Sequence, residues 1–378
     1  MRTVERESAR TGRRLQLDRA AQWFAGSQGD PYGLVLRAGE ADPLPHEERV
    51  REHGPLFHSA LLDTWVTGSR RTAEAVAADD ALTALTHGDG AEARAGAAGT
   101  ALPADRALGA AEGVLADLPD GTLDLGPLAR RLAARMVGVW LDVPGPLRPA
   151  FEAALTGCRH ALDARWCPQT LADERLRVSA ETELGSVLTE ALGVPGTDSD
   201  TVTAVRALAV AAAEPTAVLL CNTVTELLER PGLWAALAAD PDLAGAAVAE
   251  TLHWAPPVRL EGWRVREATR IAGADLSAGA RLVVLVAAAN RDTGDTPDGG
   301  FDLVRRARSG GPVSVGWSTG AHPAGPFVRT AAEAGLRALV RRLPAPAAAG
   351  PAVRRRRSPV LRAFGELPVD PTGAEHGR

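Results

Sequence analysis

Five successive segments with helical periodicity occupy the middle of the chain and set its fold class. Apolar residues recur in them every three or four positions, the spacing that keeps one face of a helix buried. These segments are residues 123–139, 149–162, 171–192, 202–228 and 233–254. Since no regular alternation of strands and helices appears along the sequence, the pattern predicts a mainly α (α+β) fold with small sheets.

Shorter elements flank this helical region on both sides. Upstream, residues 12–36 predict a short amphipathic helix that breaks over 26–31, residues 61–67 predict a strand, and residues 71–84 predict a helix. The glycine- and alanine-rich residues 89–99 predict a mobile segment. The downstream elements are β-rich stretches at residues 263–271, 281–288 and 353–369 and a helix at 327–343.

The length of 378 residues would allow two domains of average size, about 150 residues each. No linker-like stretch separates the helical part from the β-rich part, so we predict one large domain. Within it, residues 1–53 form an added N-terminal segment with a partner-binding helix, and residues 54–378 form the main body.

Charge and hydropathy narrow the class of protein. All 42 basic residues are arginines, and 47 acidic residues leave a net charge of −5, which is not the basic footprint of a nucleic-acid or membrane-surface binder. The first 14 residues are polar and rich in arginine, unlike a signal peptide. No apolar run reaches the roughly 18 residues that span a bilayer. The three cysteines lack the spacing of a disulfide framework or metal site, so we expect a cytoplasmic protein.

Two patterns in the sequence resemble a catalytic or metal site but lack part of what that site needs. The segment GWSTG at 316–320 matches the nucleophile motif of serine hydrolases, but Pro323 and Pro326 delay the helix that must start directly after Ser318. An ordinary Gly/Ser loop is favoured, and a serine hydrolase stays an alternative. His46, His53 and His58 lie in a loop-rich segment without cysteine or carboxylate at ligand spacing, so we expect no metal site.

Several motifs in a fixed order carry a family resemblance. They are AAAEPT at 211–216, ETLH at 250–253 with Pro256 and Pro257 after it, AAANRD at 287–292, FDL at 301–303 and the loop at 315–324. In order and spacing they resemble the oxygen-activating helix, the E-x-x-R helix, the meander and the haem-ligand loop of cytochrome P450. The resemblance covers roughly residues 54–370 and implies a P450-like fold.

The departures from that family fall on the residues that serve haem chemistry. His322 stands where the resemblance implies the cysteine ligand of the iron, and Gly320 replaces the basic residue that meets a haem propionate. Pro215 replaces the alcohol of the acid–alcohol pair, and His253 replaces the arginine of E-x-x-R. These four losses predict a degenerate haem site and no cofactor. The alternative is a haem protein or oxidoreductase of P450 type with His322 as the iron ligand.

A haem-less branch of the family provides a closer resemblance. The segments GRRLQL at 12–17, GDPY at 29–32, DTWV at 63–66 and AVRRRRSPVLR at 352–362, with Trp23, are similar to P450-like auxiliary proteins of antibiotic deoxysugar glycosyltransferases. The resemblance implies a non-catalytic activator that binds a dTDP-deoxysugar glycosyltransferase in polyketide (anthracycline or macrolide) biosynthesis. The expected assembly is a hetero-oligomer such as a heterotetramer, without nucleic acid or membrane.

The N-terminal segment is the candidate contact surface. Leu17, Trp23 and Tyr32 are the candidate anchors, with Arg13, Arg14 and Asp30 at the rim. The alternative is that this segment packs on the chain's own core. For Arg354, Arg355, Arg356 and Arg357, alternate arginines on a solvated strand are favoured over a partner patch.

Overall fold

A computed structural model describes residues 2–37, 41–85, 102–118, 121–194, 196, 199–292, 300–303 and 322–373. Fourteen α-helices lie in these ranges. They are α1 Arg2–Ser27, α2 Pro31–Arg37, α3 Leu44–Glu52, α4 Arg70–Ala78, α5 Ala104–Leu115, α6 Leu125–Trp140, α7 Arg148–Gly157, α8 Ala161–Ala164, α9 Leu171–Leu192, α10 Asp200–Leu228, α11 Pro231–Ala239, α12 Ala244–Trp254, α13 Val286–Arg291 and α14 Gly325–Arg342.

Twelve short strands in the same ranges form four small sheets. The strands are β1 Phe57–Ser59, β2 Thr64–Thr67, β3 Leu82–Ala84, β4 Leu123–Asp124, β5 Leu260–Val265, β6 Thr269–Ile271, β7 Ala274–Leu276, β8 Arg281–Leu285, β9 Ala347–Ala348, β10 Val353–Arg354, β11 Phe364–Glu366 and β12 Pro368–Asp370. The largest sheet has the order β1-β2-β8-β5-β3, in which only β2 and β8 are parallel. The others are β4-β12-β9, β10-β11 and β6-β7.

Four helices form the centre of the molecule. Helices α5, α6, α10 and α14 pack against one another as a bundle, and α10 lies in its middle. Every residue from 208 to 224 of α10 is buried. By length and composition α10 could cross a membrane, yet 83% of its most apolar window is buried inside the protein. A helix that is apolar all round and covered by its own chain is a core helix.

Local sequence signals explain where the two longest body helices begin and end. The Thr170 hydroxyl accepts a hydrogen bond from the Asp173 N–H (3.0 Å) at the start of α9, and the Ser199 hydroxyl accepts one from the Val202 N–H (3.2 Å) at the start of α10. Gly193 ends α9 with a φ of 63°, a left-handed conformation that glycine adopts without a steric cost. The predicted bounds of α9 agree with the structure, and those of α10 agree within two residues.

Several predicted elements differ from the structure. The predicted helix 149–162 is divided into α7 and α8, and residues 123–124 of the predicted helix 123–139 form β4, because they pair with β12. Residues 82–84 form β3 rather than the end of a helix, because they pair with β5 in the large sheet. The predicted helix 233–254 is divided at Asp240 and Pro241, where the Asp240 carboxylate accepts from the Asp242 N–H (3.1 Å). Residues 286–288 begin α13 instead of extending a strand, and α1 is 26 residues long rather than short.

Two helices were not predicted, and one predicted loop cannot be compared. Helix α3 lies in the segment that we expected to be loop-rich around His46, and α5 was not expected. The segment 89–99 lies outside the described residues. Within the described residues, no three His, Cys, Asp or Glu side chains come together as metal ligands.

Gly262 of β5 allows a close approach that can be tested. A Cβ at this position would lie 1.8 Å from Cζ2 of Trp166, whose indole packs on the strand. We therefore expect Gly262→Ala to lower the free energy of unfolding by about 1–3 kcal/mol, because the buried indole must move. The matched control is Gly109→Ala in α5, where an added Cβ meets nothing within 4 Å. It should raise stability by about 0.5–1 kcal/mol, both changes being measured by urea unfolding.

Candidate functional site

His322 lies at the start of α14, at the position that the resemblance assigns to the iron ligand. Its side chain is buried, with 4% of its surface exposed. The backbone N–H of Ala324 donates to Nδ1 of His322 (3.0 Å), and the N–H of Gly325 donates to the His322 carbonyl (2.8 Å). The ring therefore satisfies one of the backbone N–H groups that have no partner inside the helix.

This hydrogen bond sets the tautomer of the ring. An imidazole that binds iron through one nitrogen carries a proton on the other nitrogen and donates it. If Nε2 bound iron, Nδ1 would carry a proton that points at another donor, the Ala324 N–H. If Nδ1 bound iron, its lone pair would have to leave that N–H. His322 in this arrangement does not fit a haem ligand.

A spectroscopic prediction follows for His322. We expect the purified protein to show no Soret band, and His322→Ala to leave the spectrum unchanged while lowering the free energy of unfolding by about 1 kcal/mol through loss of the cap. The control His58→Ala changes a half-exposed ring and should shift stability by less than about 0.5 kcal/mol. A Soret band that disappears in His322→Ala would show that His322 binds iron.

Gly320 and the rest of the loop cannot be placed in the same way. Residues 304–321, which include Gly320, Trp317 and Ser318, lie outside the described residues. The expectations for Gly320 as a lost propionate contact and for Ser318 as a loop residue therefore remain predictions.

Pro215 lies inside α10, which continues through it as a helix. The next residue, Thr216, has a hydroxyl, but that hydroxyl donates to the Ala212 carbonyl within the helix (2.8 Å) and is not free to relay a proton. Glu214 is 3% exposed, and burial raises the pKa of its carboxyl. It borders a cavity of about 10 Å³ that Arg130 also lines, room for about one water molecule.

His253 and Glu250 lie in the last turns of α12. Glu250 is fully buried and accepts a hydrogen bond from the Asp302 N–H (3.1 Å), while the His253 carbonyl accepts from the Asn290 side chain (2.9 Å). Both residues thus hold α12 to the segments that follow it. Glu250 therefore has a structural partner in the backbone of Asp302.

Asp163 links α8 to residues 355–361 of the C-terminal segment. Its carboxylate is fully buried. One oxygen accepts from the N–H groups of Val360 (2.9 Å) and Leu361 (3.2 Å), and the other accepts from the Ser358 hydroxyl (2.6 Å) and the Arg355 guanidinium (2.9 Å). These groups lie near Glu214, since the charges of Arg355 and Asp163 both influence its pKa. Four hydrogen bonds to Asp163 therefore hold α8, which packs on α10, to the C-terminal segment.

The arginine run at 354–357 differs from the solvated strand that we expected. Arg354 is half-buried, its guanidinium lies 3.5 Å from the Phe364 ring centroid, and it donates to the side chain of Asn222 in α10 (3.0 Å). Arg355 is half-buried as well and pairs with Asp163. The expectation of alternate solvated arginines is wrong for these two residues, because each finds a partner in the body of the protein.

The candidate contact residues separate into an outer and an inner group. Leu17 and Trp23 on α1 are 70% and 52% exposed, and Arg13 and Arg14 are exposed too. Tyr32 is 1% exposed and belongs to the main core, so it is removed from the candidate contact surface.

Asp30, the remaining candidate, is used inside the protein. Its two carboxylate oxygens accept from the Gly33 N–H (2.9 Å) and the Ser59 hydroxyl (2.6 Å). The sequence did not single out Phe24, which is 56% exposed. Its helical spacing with Leu17 was visible, yet only the structure tells which face of α1 points outward.

Helix α1 rests on the body through polar and small residues. The Gln22 side chain donates to the Trp166 carbonyl (2.7 Å), and Nε of Arg175 donates to the Ser8 hydroxyl (3.0 Å). Gly12 comes close to Leu171, since a Cβ there would lie 3.6 Å from it. The inner face of α1 thus combines polar and small residues with the half-buried Leu15, while Leu17, Trp23 and Phe24 are exposed.

The chain is similar to several proteins of known name. No family model matches the chain. It is 55% identical to Protein TylM3 of Streptomyces fradiae, over 96% of this chain and 93% of that protein. It is 34% identical to Protein AknT of Streptomyces galilaeus, over 95% of each. It is 32% identical to the cytochrome P450 family protein EryCII of Saccharopolyspora erythraea, over 98% of this chain and all of that protein.

Solved structures show the same fold. Ligand-free CYP164A2 of Mycobacterium smegmatis superposes with a TM-score of 0.73 at 24% identity, over 90% of this chain and 99% of that one. The expectation of a mainly α, P450-like fold with small sheets is confirmed.

Proposed function

The chain belongs to the P450-like protein family of TylM3, AknT and EryCII, and we propose that it is a non-catalytic activator of a dTDP-deoxysugar glycosyltransferase in polyketide antibiotic biosynthesis. The proposal places the complex in the cytoplasm as a hetero-oligomer. It also narrows the partner-binding segment from residues 1–53 to α1, because α2 and α3 contribute Tyr32, Val35, Leu36 and Val50 to the main core.

The chemistry of the degenerate site supports a role without catalysis. Nδ1 of His322 accepts a hydrogen bond from the Ala324 N–H, which does not fit iron binding through either ring nitrogen. Pro215 and Thr216 offer α10 no free hydroxyl for proton relay. Helix α8, which packs on α10, is held to Arg355 and Ser358 through Asp163. A P450 scaffold with these features retains its shape and loses the groups that activate oxygen.

The exposed apolar residues on the outer face of α1 support binding of a protein partner there. At about 100° per residue, Leu17, Ala20, Ala21 and Phe24 fall within a stripe roughly 100° wide. All four are exposed, and Arg13 continues the same stripe toward the N-terminus. An apolar stripe that faces outward on a helix is typical of an interaction site.

Trp23 lies outside this stripe and is contacted by Arg37. The Arg37 guanidinium lies 3.8 Å from its ring centroid, and Nη1 of Arg37 donates to the Trp23 carbonyl (3.1 Å). The ring is therefore held in place before any partner arrives, which lowers the entropy lost on binding. The partner that fits is a glycosyltransferase with an apolar groove for Leu17 and Phe24 and acidic residues opposite Arg13.

Activation requires only a difference in affinity. If the protein binds the active or folded state of the glycosyltransferase about 1–3 kcal/mol more tightly than the inactive state, it shifts that equilibrium roughly 5- to 150-fold. No group has to enter the glycosyltransferase active site. A stable scaffold that presents one rigid helix is sufficient for this role.

Co-purification tests the proposal. An affinity-tagged dTDP-deoxysugar glycosyltransferase from the same organism, expressed with this protein, should retain it in stoichiometric amounts through size exclusion. An unrelated P450 expressed with the same tagged enzyme serves as the control and should not be retained. Separate elution of the two proteins would contradict the proposed partnership.

A further inference from the structure

A polar cavity lies under α1, away from the outer stripe. It is open to solvent on one side, has a volume of about 350 Å³ and is lined by α1, α8, α9, α10 and the residue that follows α8. A second cavity of about 540 Å³ adjoins it and shares Arg14, Arg165 and Glu174 as lining residues. Volumes of this order are those of small-molecule sites.

Positive charge is in excess in the smaller cavity. Four arginines line it, Arg14, Arg165, Arg177 and Arg206, against the two carboxylates Glu174 and Glu181. Arg177 binds Glu174 with two hydrogen bonds (2.8 and 2.9 Å) and Glu181 with a third (2.6 Å). The hydrogen bonds from Arg177 lower the pKa of Glu174, and the charge of Arg14 adds to this. Both carboxylates are therefore hydrogen-bonded to Arg177.

Arg14 and Arg206 line the cavity from two different helices. Arg14 comes from α1 and Arg206 from α10, and within the described ranges neither makes an ion pair or a hydrogen bond. The Arg206 guanidinium approaches Gly185 of α9, where a Cβ would lie 3.3 Å from Nη1. Arg165 lies between them, held by a hydrogen bond to the Leu85 carbonyl (2.9 Å).

We propose that this cavity binds a diphosphate group, with Arg14 and Arg206 as its two principal ligands. The planar guanidinium fork matches phosphoryl oxygens, and two forks from different helices, α1 and α10, suit a group that carries negative charge on two phosphoryl units. A bound diphosphate bridges α1 to α10 and fixes α1 on the body. The site lies on this chain alone, so it exists independently of the glycosyltransferase partnership.

Titration calorimetry on the full chain tests the site with two probes, inorganic pyrophosphate and dTDP. We expect both to bind, and binding to weaken as NaCl is raised, because the contacts are ionic. Arg14→Gln and Arg206→Gln should each weaken pyrophosphate binding roughly tenfold or more, the effect of one charge-assisted hydrogen bond. A dTDP affinity well above that of pyrophosphate would identify a nucleotide as the ligand, and equal affinities would identify the diphosphate alone.

Arg10→Gln is the matched control, since it makes the same change on α1 at an exposed residue that does not line the cavity. It should bind pyrophosphate as the wild type does. The proposal is overturned if neither probe binds at millimolar concentration, or if Arg14→Gln and Arg206→Gln bind like Arg10→Gln. Circular dichroism of each variant separates loss of a ligand from loss of fold. Co-purification with the glycosyltransferase is a different readout, so either proposal can fail without the other.

Discussion

Replacement of both Leu17 and Phe24 by aspartate should abolish co-purification with the glycosyltransferase and the activation that depends on it. The two side chains are 70% and 56% exposed and lie on one stripe of α1, so in the complex they would be the buried apolar anchors. Two buried carboxylates without partners should weaken binding on the order of 100-fold or more. The free energy of unfolding of the isolated protein should change by less than about 0.5 kcal/mol, because both positions face solvent.

The control for this pair is Leu176→Asp, an equivalent change at a 57% exposed leucine of α9. It should leave both affinity and activation at the wild-type level. If the double variant on α1 still binds and activates, then α1 is not the contact surface. If Leu176→Asp has the same effect as the double variant, the loss reflects surface charge in general and not the stripe.

Asp163→Asn should be among the most destabilising conservative substitutions in the chain. Asparagine retains one acceptor oxygen, so its NH₂ group must face either the N–H groups of Val360 and Leu361 or the Arg355 guanidinium. Arg355 would also lose its buried counter-charge. We expect the free energy of unfolding to fall by about 3–5 kcal/mol, measured by urea unfolding followed by circular dichroism.

Asp142→Asn provides the comparison for Asp163. It removes the carboxylate of another Asp–Arg pair, in which Arg106 lies 2.6 Å from a side chain that is 77% exposed. This loss should stay below about 1 kcal/mol, since water screens an exposed pair. Equal effects of the two substitutions would mean that Asp163 does not hold α8 to the C-terminal segment.

The parts of the fold that the sequence predicted well are those with local signals. Helix α9 has an N-cap in Thr170 and a left-handed Gly193 at its end, and both can be read from the residues themselves. The strand β3 has no such signal. Its residues have helical composition, and only pairing with β5, far along the chain, makes them a strand.

The sequence indicated which haem-site residues are replaced, but it predicted the exposure of the N-terminal residues less well. The replacements at Pro215, His253 and His322 are visible in the sequence, because each stands at a position of fixed chemical role. The burial of Tyr32 and the exposure of Phe24 depend on how α1 and α2 sit on the body. The sequence likewise predicted a solvated Arg355, whereas in the structure Arg355 pairs with Asp163 of α8.

The cavity under α1 could not be inferred from sequence at all. Arg14 and Arg206 are 192 positions apart (206 − 14) and line one cavity because α1 and α10 both pack on α9. The sequence suggested Arg14 as a rim residue of the partner surface, and the structure places it along the cavity wall. Arg13 and Arg14 are about 100° apart around the helix, so Arg13 continues the outer stripe while Arg14 borders the cavity.

The rate of sugar transfer by the glycosyltransferase, measured with and without this protein, tests the account most directly. The purified protein should first be confirmed by its absorption spectrum to hold no haem. We predict that adding it raises the rate at least fivefold, the lower end of the shift expected from a preference of about 1 kcal/mol. An unchanged rate with a stoichiometric amount of the haem-free protein, or activation that requires added haem, would contradict the account.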